Sequence, residues 1–135
     1  MRAPTVALTV CAVAGSCACS DSALANCREM LGDMRALAVE LNGFQSSQSF
    51  KIYGFGLGGP HHGWLDRAKE LQRRHENRGP FISSEVAGDD IVLPGEITGL
   101  GISKASCAST THCDLLHIAD IERRLARMQC RKRAR

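Results

Sequence analysis

The distribution of cysteine constrains this chain more than any other feature of its sequence. The 135 residues include seven cysteines, of which three lie within the first nineteen positions. The other four, Cys27, Cys107, Cys113 and Cys130, lie after residue 25. An even number of cysteines in a short chain is typical of an exported domain that two disulfides hold together. The pattern therefore predicts a small disulfide-bonded fold, provided that the N-terminal segment is removed during export.

The first 25 residues have the organisation of an export signal. Arg2 supplies a positive charge, and a mostly apolar run extends from Val6 to Ala18. Ala23-Leu24-Ala25 then gives the small-x-small pattern that a signal peptidase accepts. We therefore expect residues 1–25 to be a cleaved signal peptide, so that the mature chain begins at Asn26 in the periplasm or outside the cell. The alternatives are an uncleaved N-terminus that anchors the protein in a membrane, and lipidation at an early cysteine.

Chain geometry favours one of the three possible pairings of the four remaining cysteines. Cys113 and Cys130 lie at opposite ends of one predicted helix, where a rise of about 1.5 Å per residue separates them by about 25 Å. Bridged Cα atoms lie only about 4.4–6.8 Å apart, so these two cannot pair. Cys107 would reach Cys130 only if its short lead-in, which spans about 20 Å when extended, ran back along the whole helix. We therefore predict Cys27–Cys130 and Cys107–Cys113, with the first and last helices antiparallel.

Hydrophobic periodicity predicts a mainly α-helical domain. Residues 26–42, 63–77 and 111–128 each carry apolar side chains at spacings of three and four, which is the pattern of an amphipathic helix. Asn42-Gly43 is a typical helix end, because glycine supplies the left-handed conformation that follows many helices. We expect about three amphipathic helices in one small domain, residues 26–130, followed by a basic tail, residues 131–135.

The segments between these helices show no helical period, and short strands are expected there. Residues 50–53 are consistent with a short strand that leads into a Gly-rich loop. The apolar residues of segment 81–86 are separated from those of segment 91–93 by a turn that contains glycine and aspartate, which predicts a β-hairpin. Residues 97–102 are interrupted by glycine and are expected to form a third short strand or an ordered loop. The sequence thus predicts a mainly α fold with a small β-hairpin.

His61, His62 and Asp66 form a candidate metal-ligand set. Two adjacent imidazoles precede the second predicted helix, with a carboxylate in its first turn, and first-row metal ions accept both ligand types. A solvated loop followed by an ordinary acidic first turn is the alternative. A G-x-S-x-G elbow is absent from the sequence, so a hydrolase triad has no support. The Gly-rich pattern at 54–59 lacks a β-α-β context, so we expect no bound cofactor.

Positive charge is concentrated at the C-terminus. Seven arginines and lysines lie within the last thirteen positions, and no acidic residue follows Glu122. The predicted mature chain keeps the net charge of +3, and without these seven residues it would carry −4. Cations at a helix end also complement the helix dipole, which is the structural alternative to a binding role. The candidate anion-binding residues are Arg123, Arg124, Arg127, Arg131, Lys132, Arg133 and Arg135.

These features favour binding over catalysis. With 44% apolar and 23% charged residues, the chain has the composition of a globular protein rather than of a disordered one. We expect a non-catalytic binding protein whose basic surface holds an anionic membrane, a glycan or an acidic protein. Nucleic acid is not an expected partner, because an exported chain has little access to it. A small metal-dependent enzyme or metal-binding protein that uses His61, His62 and Asp66 is the alternative.

Overall fold

Helices dominate the structure. The computed structural model describes residues 16–76, 88–109 and 113–131. Within these ranges the backbone forms helices and connecting segments, without a strand, so the predicted mainly α class is confirmed. None of these helices is long and apolar enough to cross a membrane. The helices of the described ranges are α1 (Ser16–Phe44), α2 (Gln48–Tyr53), α3 (His62–Glu76), α4 (Pro94–Ser109) and α5 (Leu115–Arg127).

The apolar stripes of the three predicted helices form much of the core. The stripe of α1 begins at Cys27 and ends at Leu41, and both side chains are fully buried. Among the described side chains, which begin at Ser22, every core residue lies after the predicted cleavage point that follows Ala25. Helix α1 itself continues through that point. The remaining helices contribute Phe50, Trp64, Ala68, Leu71, Ile97, Leu100, Ile118, Ile121 and Leu125.

Residues 50–53, which were expected as a short strand, form most of α2. Ser47 caps this helix, because its Oγ accepts a hydrogen bond from the N–H of Phe50 at 3.1 Å. Gly54 ends it with a φ of +55°, a conformation that favours glycine. The Phe50 ring is buried and contacts the edge of Phe55 at a centroid distance of 5.1 Å. A polar cap and one buried ring therefore decide the conformation of a segment too short to show a period.

Residues 97–102, which were expected as a strand or an ordered loop, lie inside α4. Gly101 packs directly on the indole of Trp64, so that a Cβ atom at this position would lie 2.2 Å from the ring. Trp64 is 1% exposed and donates its Nε1–H to the carbonyl of Leu37 at 2.8 Å. The glycine that suggested a break in helical structure therefore allows α4 to approach α3.

The predicted β-hairpin is wrong for the part that the structure describes. Residues 81–87 lie outside the described ranges, and residues 91–93 are not in a strand but lead directly into α4. Val92 is fully buried, and its N–H donates to Sδ of Met128 at 3.4 Å. Glu96 accepts the N–H of Leu93 at 2.9 Å and so caps the start of α4. The apolar run at 91–93 anchors a helix instead of pairing with a strand.

Candidate anion-binding cleft

Two cysteine pairs lie at disulfide distance, in the arrangement expected from chain geometry. The Cα atoms of Cys27 and Cys130 are 5.7 Å apart, and those of Cys107 and Cys113 are 4.6 Å apart. The first pair joins α1 to the segment that follows α5. It therefore places the basic C-terminal segment beside α1, although 103 positions separate the two cysteines in sequence.

A cleft of about 360 Å³ opens beside the Cys27–Cys130 pair. Helix α1 forms one wall, and the segment that follows α5 forms the other. Its two charged lining residues, Arg28 and Arg35, are both cationic. The residues that line the cleft are Arg28, Leu31, Gly32, Arg35, Met128, Gln129 and Cys130.

Arg35 fixes the two walls of this cleft relative to each other. Its Nη2 donates to the carbonyl oxygen of Met128 at 2.8 Å and to that of Leu125 at 3.3 Å. The last carbonyl groups of a helix lack partners within the helix, so a guanidinium here satisfies them. Arg35 therefore closes the end of α5 and brings a positive charge to the cleft.

Arg28 and Arg131 each follow one of the paired cysteines. Consecutive Cα atoms are about 3.8 Å apart, so the Cα atoms of these two arginines lie within about 13 Å of each other. Both residues are exposed, and neither forms an ion pair with another described residue. The Cys27–Cys130 pair thus brings together two cations that are far apart in sequence, and neither has a carboxylate partner among the described residues.

The first two residues of the predicted basic cluster form ion pairs within the protein. Arg123 lies 2.8 Å from Asp120 and 3.6 Å from Asp90, measured between side-chain nitrogen and oxygen atoms. Arg124 is 20% exposed and pairs with Glu96 and Asp120. Hydrogen bonds from both arginines lower the pKa of Asp120. These two charges are therefore balanced by neighbouring carboxylates.

Arg124 also joins α5 to the beginning of α4. Its Nη1 donates to the carbonyl of Ile91 at 2.7 Å, and its guanidinium bonds to the carboxylate of Glu96. Burial raises the pKa of Glu96. Hydrogen bonds from Arg124 and from the N–H of Leu93 together lower it by more than burial raises it, so the pKa is below its usual value. Hydrogen bonds to Glu96 and, to a smaller extent, to Asp120 raise the pKa of Arg124. Its guanidinium acts mainly as a structural link between two helices.

The other predicted cations have different surroundings. Arg127 is exposed in the last turn of α5 and forms no ion pair with the described residues. Lys132, Arg133 and Arg135 lie outside the described residues. The described cations of this region that form no ion pair are therefore Arg127 and Arg131, together with the cleft residues Arg28 and Arg35.

A second cleft, of about 440 Å³, lies near Lys104 and differs in its electrostatics. The Lys104 side chain is 7% exposed, and its ammonium group donates to Glu122 at 2.8 Å and to the side chain of Asn42. The charge is thus paired and hydrogen-bonded, as a buried ammonium requires. The other cation among its lining residues is the exposed Lys51.

His61, His62 and Asp66 do not converge as a metal-ligand set. The His61 ring stacks on Phe44 at a centroid distance of 4.0 Å, and its Nε2 lies 3.2 Å from Oγ of Ser49. His62 instead places Nδ1 3.0 Å from the carbonyl oxygen of Phe55, and its Nε2 is 3.5 Å from Asp66. Only the His62–Asp66 half of the predicted set is therefore brought together.

Arg28 and Arg35 were missed by the sequence analysis. They are seven positions apart and therefore lie on one face of α1. The predicted Cys27–Cys130 pairing contained a signal for Arg28, because it brings the neighbours of both cysteines together. Nothing in the sequence indicated that Arg35 would reach the carbonyl groups at the end of α5.

Comparison with known proteins identifies no relative that would assign a role to the cleft. No protein-family model matches the chain, and no curated protein or solved structure matches it significantly. The residues of the cleft and their surroundings are therefore the basis for the function proposed below.

Proposed function

We propose that this protein is a small exported, non-catalytic binding protein that attaches to an anionic membrane surface through the basic cleft at Cys27–Cys130. One observation carries the proposal. Arg28 and Arg131 flank the paired cysteines, and both lack a carboxylate partner among the described residues. Arg35 adds a third positive charge to the same cleft.

The number of cations is sufficient for a salt-sensitive attachment. A basic residue near an anionic membrane contributes about 1 kcal/mol, so Arg28, Arg127 and Arg131 together supply about 3 kcal/mol. Lys132, Arg133 and Arg135 extend the positive charge along the chain. Because the Debye length is about 8 Å at physiological ionic strength, added salt weakens such binding.

Export is part of the proposal and draws on two features of the molecule. The core begins at Cys27, so removal of residues 1–25 takes away no described core side chain. Both cysteine pairs at disulfide distance fit an oxidising compartment, where such bonds persist. A mature chain that begins at Asn26 retains the whole cleft, and the membrane surfaces that it meets carry phosphate headgroups.

A metal-dependent enzyme at His61, His62 and Asp66 is the weaker alternative. His61 stacks on Phe44 and contacts the hydroxyl groups of Ser47 and Ser49, whereas His62 contacts Asp66. Binding through charge needs no convergent catalytic groups, and the cleft provides the charges. We therefore favour binding.

Vesicle co-sedimentation tests the proposal. The mature chain is mixed with vesicles of anionic phospholipid and with vesicles of zwitterionic phospholipid, from low to physiological salt, and a heparin column provides a glycan control. We expect binding to the anionic vesicles that declines as salt increases. A chain truncated after Cys130 keeps Arg28, Arg35 and Arg127, so it should bind more weakly but measurably. Absence of vesicle binding at low salt would contradict the proposal, and retention on heparin alone would point to a glycan.

A further inference from the structure

We propose that Glu29, Asp33 and His75 form a binding site for a divalent first-row metal ion, with Zn²⁺ as the expected occupant. Glu29 and Asp33 are one helical turn apart on α1, and His75 lies in the last turn of α3. One ligand atom from each residue lies within 4.8 Å of the other two. This site shares no residue with the basic cleft, and its assignment does not depend on the proposed membrane attachment.

The burial of the three groups is suited to an open metal site. The His75 side chain is 4% exposed, whereas the Asp33 side chain is 40% exposed and Glu29 faces solvent. A buried imidazole has few rotamers available and is therefore held in place on one side. The two carboxylates approach from the solvent side and leave room for water in the fourth position of a zinc ion, as in sites with three protein ligands.

Metal binding would require only a small movement of the three ligand atoms. Nε2 of His75 lies 3.9 Å from Oδ2 of Asp33. With metal–ligand bonds of about 2.0–2.1 Å and tetrahedral angles, neighbouring ligand atoms are about 3.3 Å apart. Rotation of the exposed Glu29 side chain and a shift of about 0.6 Å at Asp33 would bring the ligand atoms to this spacing.

Asp33 provides a second observation that points to a cation. Its Oδ2 atom is buried and accepts no hydrogen bond, although Nη1 of Arg74 lies 3.5 Å away. A buried carboxylate oxygen that accepts no hydrogen bond is costly, and a metal ion would bind it more closely than the 3.5 Å ion pair with Arg74 does. Nε2 of His75 lies 3.9 Å from this oxygen, a distance that a shared ion can bridge.

Arg74 is the competitor for this oxygen and gives the proposal a distinctive test. Its side chain is 41% exposed, so the guanidinium can move into solvent when a divalent ion binds Asp33. Removal of this cation should therefore tighten metal binding. A cluster that serves only to hold α1 against α3 would gain nothing in metal affinity from the same substitution.

Isothermal titration of the tag-free mature chain with zinc chloride tests the site. We expect one equivalent to bind, with at least about tenfold weaker binding in Glu29→Gln and Asp33→Asn, and tighter binding in Arg74→Gln. Because His75 is buried, its Gln variant is included only after far-UV circular dichroism shows the wild-type helix content. The matched control is His62→Gln with Asp66→Asn, which removes the other neighbouring His–Asp pair and should leave the affinity unchanged.

Cobalt reports metal coordination directly, because a cluster with only a structural role would not give the spectrum of a bound Co²⁺ ion. Addition of Co²⁺ to the wild-type chain should give visible absorption bands of a tetrahedral or five-coordinate ion, and Asp33→Asn should remove them. The proposal is overturned if zinc produces no binding heat, if the His62 and Asp66 control loses as much affinity as Asp33→Asn, or if Arg74→Gln leaves zinc affinity unchanged.

Discussion

The two disulfides should contribute very differently to stability, because they close loops of very different length. Cys27–Cys130 spans 103 positions, and Cys107–Cys113 spans six. In the chain-entropy model, a bridge of the first length stabilises the folded state by about 4.7 kcal/mol at 25 °C. The same expression gives about 2.2 kcal/mol for the second. The long-range bridge should therefore contribute about 2.5 kcal/mol more than the local one.

The comparison requires two double variants, Cys27→Ala with Cys130→Ala and Cys107→Ala with Cys113→Ala. Urea unfolding of a chain that begins at Asn26, followed by circular dichroism at 222 nm, gives the free energy of unfolding for each. Cys27 is fully buried, so its truncation also leaves a small void that adds to the loss at the long-range bridge. With a melting entropy near 0.2 kcal/mol/K for a mature chain of this size, the melting temperatures should fall by about 20 °C and about 10 °C.

The two losses in free energy of unfolding, compared with each other, show whether Cys27–Cys130 is the main covalent constraint on the fold. If the long-range bridge ties α1 to the end of α5, its removal must be the more damaging of the two. The m-value should also rise in the variant without it, because the unfolded chain then exposes more surface. Equal losses, or a greater loss for Cys107 and Cys113, would refute the assignment of this bridge as the main covalent constraint on the fold.

Three further predictions follow from the packing, the ion pairs and the N-terminus. Gly101→Ala should lower the free energy of unfolding by about 2–3 kcal/mol in urea titrations, because its Cβ would overlap the Trp64 ring; a change below about 0.5 kcal/mol would contradict the described approach of α4 to α3. The lowered pKa of Glu96 means that its stabilising contribution is complete above the unfolded-state pKa, about 4.3, and is lost as the pH falls through the folded-state value. Glu96→Gln should thus flatten the pH dependence of the urea midpoint between about pH 5 and pH 3, and an unchanged slope would contradict the paired state of this carboxylate. Intact-mass analysis of exported material should show a chain that begins at Asn26 with two disulfides, whereas an N-terminus at Met1 or Arg2 would contradict export and cleavage.

Helical periodicity and cysteine geometry carried most of the correct predictions. The predicted stripe of the last helix is buried from Ile118 to Met128, as its spacing of three and four required, but Leu115 at its start is 69% exposed. The apolar stripe of α1 is buried from Cys27 to Leu41. The cysteine arrangement followed from chain reach alone, because a helix holds Cys113 and Cys130 too far apart to pair. These two signals depend on local geometry, which the sequence determines directly.

The errors arose where tertiary contacts override local preference. Gly101 indicates a break when α4 is considered alone, but it fits the Trp64 ring once α3 is in place. Residues 91–93 look like a strand until the burial of Val92 beneath Met128 is known. The metal-type cluster was missed because the positions of Glu29 and His75 relative to each other depend on how α1 packs against α3. No periodicity within one helix contains that information.

The central claim is that the position of the cations, and not merely their number, attaches this protein to an anionic surface. Two double variants with the same change in net charge test it directly. Arg28→Gln with Arg131→Gln removes the pair beside the bridged cysteines, and Lys51→Gln with Lys69→Gln removes two exposed cations that do not line the cleft.

The measurement is the partition coefficient of each variant on anionic vesicles at low salt, relative to the unmodified mature chain. At about 1 kcal/mol for each cation at the surface, loss of Arg28 and Arg131 should weaken binding by about 30-fold. Loss of Lys51 and Lys69 should change binding by less than about threefold, because these residues do not line the cleft through which the protein is proposed to attach. Equal weakening by the two double variants would contradict the account, because net charge alone would then explain the binding.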